Sequence, residues 1–334
     1  MSEIQFREYQ PGDEQAILDT FNLTFREVCG EGYVDRELSH WEWEFGQNPA
    51  GARMMLAFAP DGRCAAQYAA TPMKVVLAGG KELSFFHAVD SMVHPEFRKG
   101  LSKRPIFVDM AERFFERYGG REDHLGFGYP VRPAWRIGER YLGYRLIRTL
   151  EYLLQNVGVA KAPSEVEVEL SDRFPEQVDE LFAELQPGFA CTVEKSFVYL
   201  DWRYRRCPSI EYKILLARRE GRLRGFAVVR SDGGLVPGAA TIGDLLVGSD
   251  EPEILAALVA KAHEIARAAG CTQLLTVQNP ELPWAEEFRS LGFEAEPSSH
   301  WLERKLGSRD WSSGLTQEWL GEHWYYQLGD SDLF

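Results

Sequence analysis

The sequence has few cysteines, no long apolar run and no excess of positive charge, and each absence excludes a class of protein. Its 334 residues include five cysteines without Cys-x-x-Cys spacing, so neither a disulfide framework nor a zinc site is expected. No uninterrupted apolar run reaches the roughly 18 residues of a transmembrane helix. The first residues read directly as a strand rather than as a signal peptide. We therefore expect a cytoplasmic protein without a membrane segment or a bound metal.

The charge balance argues against a nucleic-acid partner. With 51 acidic and 37 basic residues, the net charge is −14, whereas nucleic-acid binding requires a basic face. Against this acidic background, four cations lie within the seven positions from Arg98 to Arg104. Such a cluster indicates a compact anionic ligand; a chance cluster on the surface is the alternative.

The stretch from Phe85 to Tyr118 reads as a strand, a polar turn and an amphipathic helix. The strand ends at His94-Pro95, because proline cannot donate to a sheet ladder. Pro105 suits the first turn of the helix, where its missing N–H is not needed. A helix start after a cationic turn offers free N–H groups and a positive dipole end to an anion. The next apolar segment, His124 to Tyr129, is expected to run parallel to the first strand.

The second half of the chain repeats landmarks of the first half. The offset between matching residues drifts smoothly, from 159 positions at Trp43 and Trp202, through 154 at Asp90 and Asp244, to 149 at Gly143 and Gly292. Small deletions after duplication of a whole domain produce such a drift. We therefore predict two domains, 1–157 and 158–334, hereafter the first and second copies.

Three short motifs resemble those of the GCN5-related N-acetyltransferases (GNAT). The segment Val93 to Ser102 resembles their acetyl-CoA pyrophosphate loop, with the pattern strand, Val-x-Pro, Arg/Gln-x-x-Gly-x-Gly/Ala, helix. In this chain the spacing from Arg98 to Gly100 is one residue shorter than Arg-x-x-Gly, and Ser102 replaces the last small residue of the pattern. Leu142-Gly143-Tyr144 and Leu291-Gly292-Phe293 are similar to the motif after the family's last helix. The resemblance implies an α/β (α+β) fold of two tandem acetyltransferase-type domains, each a mixed sheet with helices on both faces.

The resemblance also implies that the first copy binds acetyl-CoA or another acyl-CoA. The residues implied for pantetheine and the phosphates are Ser91, Met92, Val93, Arg98, Lys99, Gly100, Leu101, Ser102 and Lys103. The equivalent turn of the second copy, Gly248 to Glu253, is acidic and would repel a pyrophosphate. We therefore expect the second copy to be a degenerate partner that completes the acceptor cleft.

Four residues are candidates for acid–base chemistry. His87 falls where histone-type members of the family carry a glutamate base, and an unperturbed pKa near ~6.5 suits that role; the alternative is a structural histidine within the sheet. Asp90 is a competing base, although its counterpart Asp244 favours a shared structural role. The family's tyrosine acid falls at Glu139, which leaves Tyr141, one step further along the helix, as the nearby hydroxyl.

The function implied by the resemblance is direct, acetyl-CoA-dependent transfer of an acyl group to a small amine, such as an amino sugar. Two alternatives stay open: a non-catalytic acyl-CoA-binding or ligand-binding tandem module, and an aminoacyl transferase of the peptidoglycan type, which the acidic surface disfavours. The aromatic and acidic tail from Glu318 to Asp332 either recognises a sugar or packs across a domain groove. The sequence leaves the acceptor, the acyl length and the oligomeric state open.

Overall fold

The computed structural model describes residues 4–30, 32–98, 105–160 and 162–334. These residues form two mixed sheets with helices on both faces, and this is the predicted fold of two tandem acetyltransferase-type domains. The turn residues Lys99 to Arg104 lie outside the described part of the chain.

The first copy contributes seven strands and four α-helices to the described structure. The strands are β1 (Gln5–Glu8), β2 (Arg53–Phe58), β3 (Cys64–Leu77), β4 (Glu82–Val93), β5 (Leu125–Gly128), β6 (Arg145–Thr149) and β7 (Glu151–Asn156). The helices are α1 (Glu14–Cys29), α2 (Leu38–Trp41), α3 (Ile106–Tyr118) and α4 (Arg132–Tyr141). β4 and β5 pair in parallel, as the strand–helix–strand pattern predicts.

The second copy repeats this order of elements, with one additional short strand before its second helix. Its strands are β8 (Glu167–Ser171), β9 (Cys191–Val193), β10 (Lys213–Arg219), β11 (Arg222–Arg230), β12 (Ala239–Val247), β13 (Gln273–Thr276), β14 (Glu294–Pro297), β15 (Lys305–Asp310) and β16 (Trp324–Tyr325). Its helices are α5 (Gln177–Leu185), α6 (Phe197–Leu200), α7 (Pro252–Ala268), α8 (Pro283–Ser290) and α9 (Gln317–His323).

The first copy gives β7 to the second sheet, and the second copy gives β15, β9 and β16 to the first sheet. The main strand orders are β1-β2-β3-β4-β5-β15-β6 and β14-β7-β13-β12-β11-β10-β8. The segment from Arg145 to Asn156 reads in the sequence as one strand, but it forms two strands, β6 and β7, in different sheets. The chain changes sheets at Leu150, which is buried and donates its N–H to the carbonyl of Arg304 at 2.8 Å. The domain boundary near residue 157 stays a prediction, since β7 belongs to the first copy in sequence and to the second sheet by pairing.

The two copies meet at the duplicated tryptophans. The indole N–H of Trp43 donates to the carbonyl of Trp202 at 2.6 Å, and that of Trp202 donates to the carbonyl of Trp43 at 2.8 Å. Their rings stack with centroids 5.5 Å apart. Each tryptophan lies in a five-residue π-helix, 42–46 and 201–205, so the offset of 159 positions joins equivalent elements. This reciprocal contact is what a duplication with an internal two-fold relation produces.

Helices cover the two faces of the first sheet in different ways. α3 buries Phe114 and Phe115 against one face. α1 buries Ile17 and Phe21 against the other face. Both helices carry apolar residues at helical spacing, so burial of one stripe holds each on the sheet. The C-terminal end of β4 lies between the α1 layer and the α3 layer, and the candidate site is at this end.

Candidate active site

The site is built where β4 and β5 part. Their pairing runs from Phe85 and Leu125 to His87 and Phe127, and beyond that point no described strand pairs with the edge of β4 that faces β5. A bulge sets Asp90 and Ser91 opposite the single residue Tyr68 of β3. The bulge therefore turns the end of β4 away from β5, and the backbone groups on that edge of β4 have no ladder partner.

Asp90 holds an uncommon backbone conformation within this bulge. Its φ is +49°, in the left-handed region that non-glycine residues seldom occupy. The side-chain amide of Gln67 donates to the Asp90 carbonyl at 3.0 Å and helps to hold it there. Such strain commonly lies at functional sites, so the bulge marks this end of β4 as a place where geometry is imposed by the surrounding structure.

Alternate residues of β4 face two different spaces. Phe86 and Ala88 line a narrow, mostly apolar groove on the α3 face, together with Tyr68, Gly128 and Tyr144. His87 and Val89 line a cavity of about 110 Å³ on the opposite face, hereafter the inner cavity. Because side chains alternate along a strand, the groove and the cavity lie back to back where β4 and β5 separate.

Both copies form the inner cavity. The first copy contributes His40, Trp43 and Glu44, and the second contributes Tyr199, Trp202 and Arg203. Residues 329–332 and Phe334 of the tail complete the wall. The expectation that the second copy completes a cleft of the first copy agrees with this arrangement.

One guanidinium serves two carboxylates in this region. Arg36 forms an ion pair with Asp90 and another with Glu44, in the latter case at 3.1 Å. Burial and the neighbouring Asp90 raise the pKa of Glu44 to about 8, although Arg36 acts in the opposite direction. Burial also raises the pKa of Asp90 against the pull of Arg36. The region thus holds a carboxyl group that titrates near neutral pH, as general bases do.

Two histidines line the inner cavity and are uncharged near neutral pH. Burial, together with the positive charges of Arg36 and Arg203, lowers the pKa of His40 to about 3. Burial also lowers the pKa of His87, while the Asp332 carboxylate opposes that shift. His87 is 1% exposed, and its Nε2 lies 3.5 Å from Oδ1 of Asp332. A neutral imidazole beside a cavity can accept a proton.

An outer cleft of about 600 Å³ adjoins the inner cavity. The two spaces share the lining residues Arg36, His40 and Asp332. The outer cleft is also lined by aromatic rings and by further carboxylates: Phe21, Phe25, Tyr33, Asp35, Glu37 and Asp90. Rings and acidic groups together favour a cationic ligand, so the outer cleft suits the entry of an amine.

The residues predicted to hold a cofactor are only partly within the described chain. Ser91 is exposed, Val93 is half-buried and Met92 is 3% exposed. Arg98 donates to the Val93 carbonyl at 3.1 Å and pairs with Glu27 at 2.8 Å. The remaining predicted positions, Lys99, Gly100, Leu101, Ser102 and Lys103, lie outside the described residues.

The structure brings two of the four predicted catalytic residues to the same site. His87 lines the inner cavity, and Asp90 lines the outer cleft that adjoins it. Glu139 and Tyr141 are exposed on α4 and line neither cavity nor the groove. The tyrosine hydroxyls at the groove are instead those of Tyr144 and Tyr68, which are hydrogen-bonded to each other. Burial raises the pKa of Tyr144 to about 12.

Sequence reasoning missed Arg36, Glu44 and Tyr144. Glu44 lies among aromatic residues in a π-helix, and nothing in the spacing of that segment marks its carboxylate as buried. Tyr144 belongs to the Leu-Gly-aromatic motif, so the motif itself could have indicated it. Its ring lies over Gly138 of α4, where a Cβ atom would overlap it.

The tail is buried where the two copies meet, because Trp324 contacts Phe85 and Phe127 of the first copy and Tyr325 contacts Trp284 of the second. Trp324, Tyr325 and Tyr326 are at most 1% exposed. The interpretation that these rings recognise a sugar is wrong, because their faces are covered by protein. The alternative, a tail that packs across a domain groove, is confirmed: β16 pairs with β9, and β9 in turn pairs with β3 of the first copy.

No helix within the described ranges has the length and apolar character needed to cross a bilayer. In the same part of the chain, no cluster of three or more His, Cys, Asp or Glu side chains has a geometry that could hold a metal ion.

Comparison with known proteins agrees with this architecture. Residues 5–146 match the family model described as an acetyltransferase (GNAT) domain. A structure from Enterococcus faecalis V583, described as a conserved protein of unknown function and probable N-acyltransferase, superposes with a TM-score of 0.63 at 14% identity, over 92% of this chain and 72% of that one. A search of curated proteins found no match.

Two further structures show the same fold at low identity. A tandem GNAT protein from the clavulanic acid biosynthesis pathway, solved without AcCoA, has a TM-score of 0.56 and 16% identity, over 92% of this chain and 98% of that one. The N-myristoyltransferase of Saccharomyces cerevisiae with bound myristoyl-CoA has a TM-score of 0.57 and 11% identity, over 92% of this chain and 83% of that one.

Proposed function

We propose that the protein is an acyl-CoA-dependent N-acyltransferase acting directly on a small amine, because residues 5–146 match the family model of an acetyltransferase (GNAT) domain. The observation that carries the proposal is the meeting of the groove and the inner cavity where β4 and β5 part. One space suits a pantetheine arm, and the other suits an acceptor.

The groove has the chemistry that a pantetheine arm requires. The unpaired edge of β4 beyond His87 offers backbone amide groups, and Phe86, Ala88 and Phe115 offer apolar contact. Arg98 lies at the end of this edge and could exchange its ion pair with Glu27 for a phosphate. Acetyl-CoA would supply the activated acyl carbonyl, and N-myristoyltransferase, with bound myristoyl-CoA, is a structural relative.

The inner cavity has the groups that an amine acceptor requires. An ammonium must lose a proton before its nitrogen can attack a thioester carbon, after which the C–S bond breaks and the thiolate leaves. His87 is uncharged and can accept that proton. Asp90 is the competing base, but its ion pair with Arg36 favours a structural role in the bulge. Glu44 is a further titratable carboxyl group in the lining of this cavity.

A non-catalytic acyl-CoA-binding module is the second candidate. It is favoured by the exposed position of Glu139 and Tyr141, because neither delivers an acid to the groove. The two functions differ in one measurement: an enzyme releases free thiol from acetyl-CoA only when an amine is present, whereas a binding module releases none.

We place the reaction in the cytoplasm. The five cysteines, all within described segments, are free thiols, as expected in a reducing compartment.

Calorimetric titration with acetyl-CoA tests the cofactor assignment. The wild type should bind, and Arg98→Ala should bind about tenfold more weakly, because one charge-assisted hydrogen bond to a phosphate is worth about 1.4 kcal/mol or more. Arg289→Ala, which removes an exposed arginine of α8 in the second copy, is the matched control. Absence of heat with the wild type would overturn the proposal. Thiol release across a panel of amines then decides between enzyme and binding module.

A further inference from the structure

The tail of the second copy reaches the inner cavity of the first copy. After β16 the chain continues through 327–334, and residues Gly329 to Asp332 line the inner cavity. The exposed Asp332 side chain also lines the outer cleft. The tail thus links the core of one copy to the candidate active site of the other.

Buried bonds fix the position of this tail. Nζ of Lys195 binds Oδ1 of Asp330 at 2.6 Å. The guanidinium of Arg203 donates to the carbonyls of Gly329 at 2.9 Å and Ser331 at 3.0 Å, and also to that of Phe334. These contacts bracket Asp332 on both sides, so its backbone is held although its side chain is partly exposed.

Asp332 is the acidic group nearest to the imidazole of His87 among the described contacts. Nε2 of His87 has no hydrogen-bond partner and is fully buried, with Oδ1 of Asp332 at 3.5 Å. A small rotation of the partly exposed aspartate would close a hydrogen bond. The ring is otherwise fixed by Phe127 and Tyr129, with centroids 5.1 and 5.9 Å away.

We propose that Asp332 is a positioning residue for His87, so that the candidate active site is composed of both copies. The proposal rests on the function proposed above. With Nε2–H directed at the Asp332 carboxylate, the neutral ring carries its lone pair on Nδ1. That nitrogen takes the proton of the acceptor ammonium, and the carboxylate stabilises the imidazolium that forms.

Other charged and titratable groups surround the same cavity. They are Arg36, His40 and Glu44 from the first copy, and Tyr199, Arg203 and Asp330 from the second copy; Tyr129 adjoins the ring itself. Asp330 is paired with Lys195, and Glu44 with Arg36, which leaves Asp332 as the carboxylate not offset by a described ion pair with lysine or arginine.

Proton titration of His87 by NMR tests the proposal without any substrate. The full chain, labelled with 13C at Cε1 of its seven histidines, is titrated, and His87→Gln assigns the signal. Loss of the carboxylate in Asp332→Asn should lower the titration midpoint of His87 by about half a pH unit or more. Asp332→Glu should restore part of the shift. Glu318→Gln, which removes an exposed carboxylate of α9, should leave the midpoint unchanged.

The outcomes separate this proposal from the proposed function. An unchanged His87 midpoint in Asp332→Asn overturns the positioning role, whether or not the enzyme is active. A wild type that releases no thiol with any amine overturns the proposed function and leaves the NMR result standing. If both hold, the acidic limb of the kcat/KM profile moves to lower pH in Asp332→Asn, whereas a merely structural change lowers kcat/KM at every pH.

Discussion

The end of the central parallel strand pair is open in the first copy and filled by protein in the second copy. The pairing of β4 with β5 ends at His87 and opens onto the inner cavity. The pairing of β12 with β13 ends at Ile242, and the next residue, Gly243, lies against the ring of Phe334. The second copy has therefore kept the splayed strands of a binding site but has its own tail in the gap.

An ion pair beside this strand end is likewise exposed in the first copy and buried in the second copy. Arg36 and Asp90 of the first copy correspond, at offsets of 159 and 154, to Lys195 and Asp244 of the second copy. The side chain of Arg36 is 19% exposed beside a cleft, whereas Lys195 and Asp244 are wholly buried. Because both copies have the pair, it belongs to the fold, and its exposure in the first copy is what allows a ligand to reach it.

Replacement of Lys195 by methionine should have the largest effect. Burial alone would lower the pKa of Lys195, but Asp244 and Asp330 outweigh it and raise that pKa. Lys195→Met leaves both carboxylates buried without a cation, so we expect a loss of about 3–5 kcal/mol in the free energy of unfolding, measured in urea.

Lys261→Met is the matched control for this lysine. Lys261 forms an exposed pair with Glu264, and such pairs contribute about 0–1 kcal/mol. Equal losses in the two variants would show that the buried cluster does not depend on its cation.

A methyl group at Gly243 should have an intermediate effect. The added Cβ would overlap the Phe334 ring, so Gly243→Ala must displace the tail. Overpacking of this kind costs about 1–3 kcal/mol, measured by urea denaturation. We also expect faster proteolysis of the displaced tail.

Gly188→Ala controls for the loss of a glycine. A Cβ at Gly188 meets no described atom within 4 Å, so its cost should be much smaller. An unfolding free energy of Gly243→Ala equal to that of the wild type would contradict the view that the tail fills this gap.

Replacement of Glu44 should have an effect that depends on pH. The folded state holds the Glu44 proton to about pH 8, whereas the unfolded chain releases it near 4.5. The free energy of unfolding must therefore fall as the pH rises between these values. Glu44→Gln removes this fall, and we expect the variant to gain up to about 4 kcal/mol relative to the wild type between pH 5 and pH 9.

Urea denaturation at the two pH values measures the change. Glu139→Gln, at an exposed carboxylate of α4, should show no such difference. A parallel pH response of the wild type and Glu44→Gln would mean that Glu44 is ionised in the folded protein at neutral pH.

The sequence predicts the candidate site where the chemistry lies on one strand. His87 and Asp90 are identified by counting back from the end of β4. Pro95 fixes where the strand ends, and the alternation of side chains along the strand fixes which face each residue occupies. Glu44 and Arg36 could not be found in this way. Their burial depends on the packing of α1, the π-helix and the second copy against the bulge, and these contacts join residues as far apart as Arg36 and Asp90. The sequence also does not locate the hydroxyl group at the groove. Glu139 and Tyr141 of α4 face solvent, and Tyr144 lines the groove instead.

The sequence by itself determined the duplication, the order of the elements and the parallel pair β4–β5, because periodicity, turn residues and repeated tryptophans are local signals. Only the tertiary structure decided that β7 and β15 change sheets and that the tail fills the second copy. Strand exchange replaces one set of ladder hydrogen bonds by an equivalent set, so the pattern of the strand itself does not choose between them. That choice depends on contacts between distant segments, such as Trp43 with Trp202, which form only when both copies are folded together.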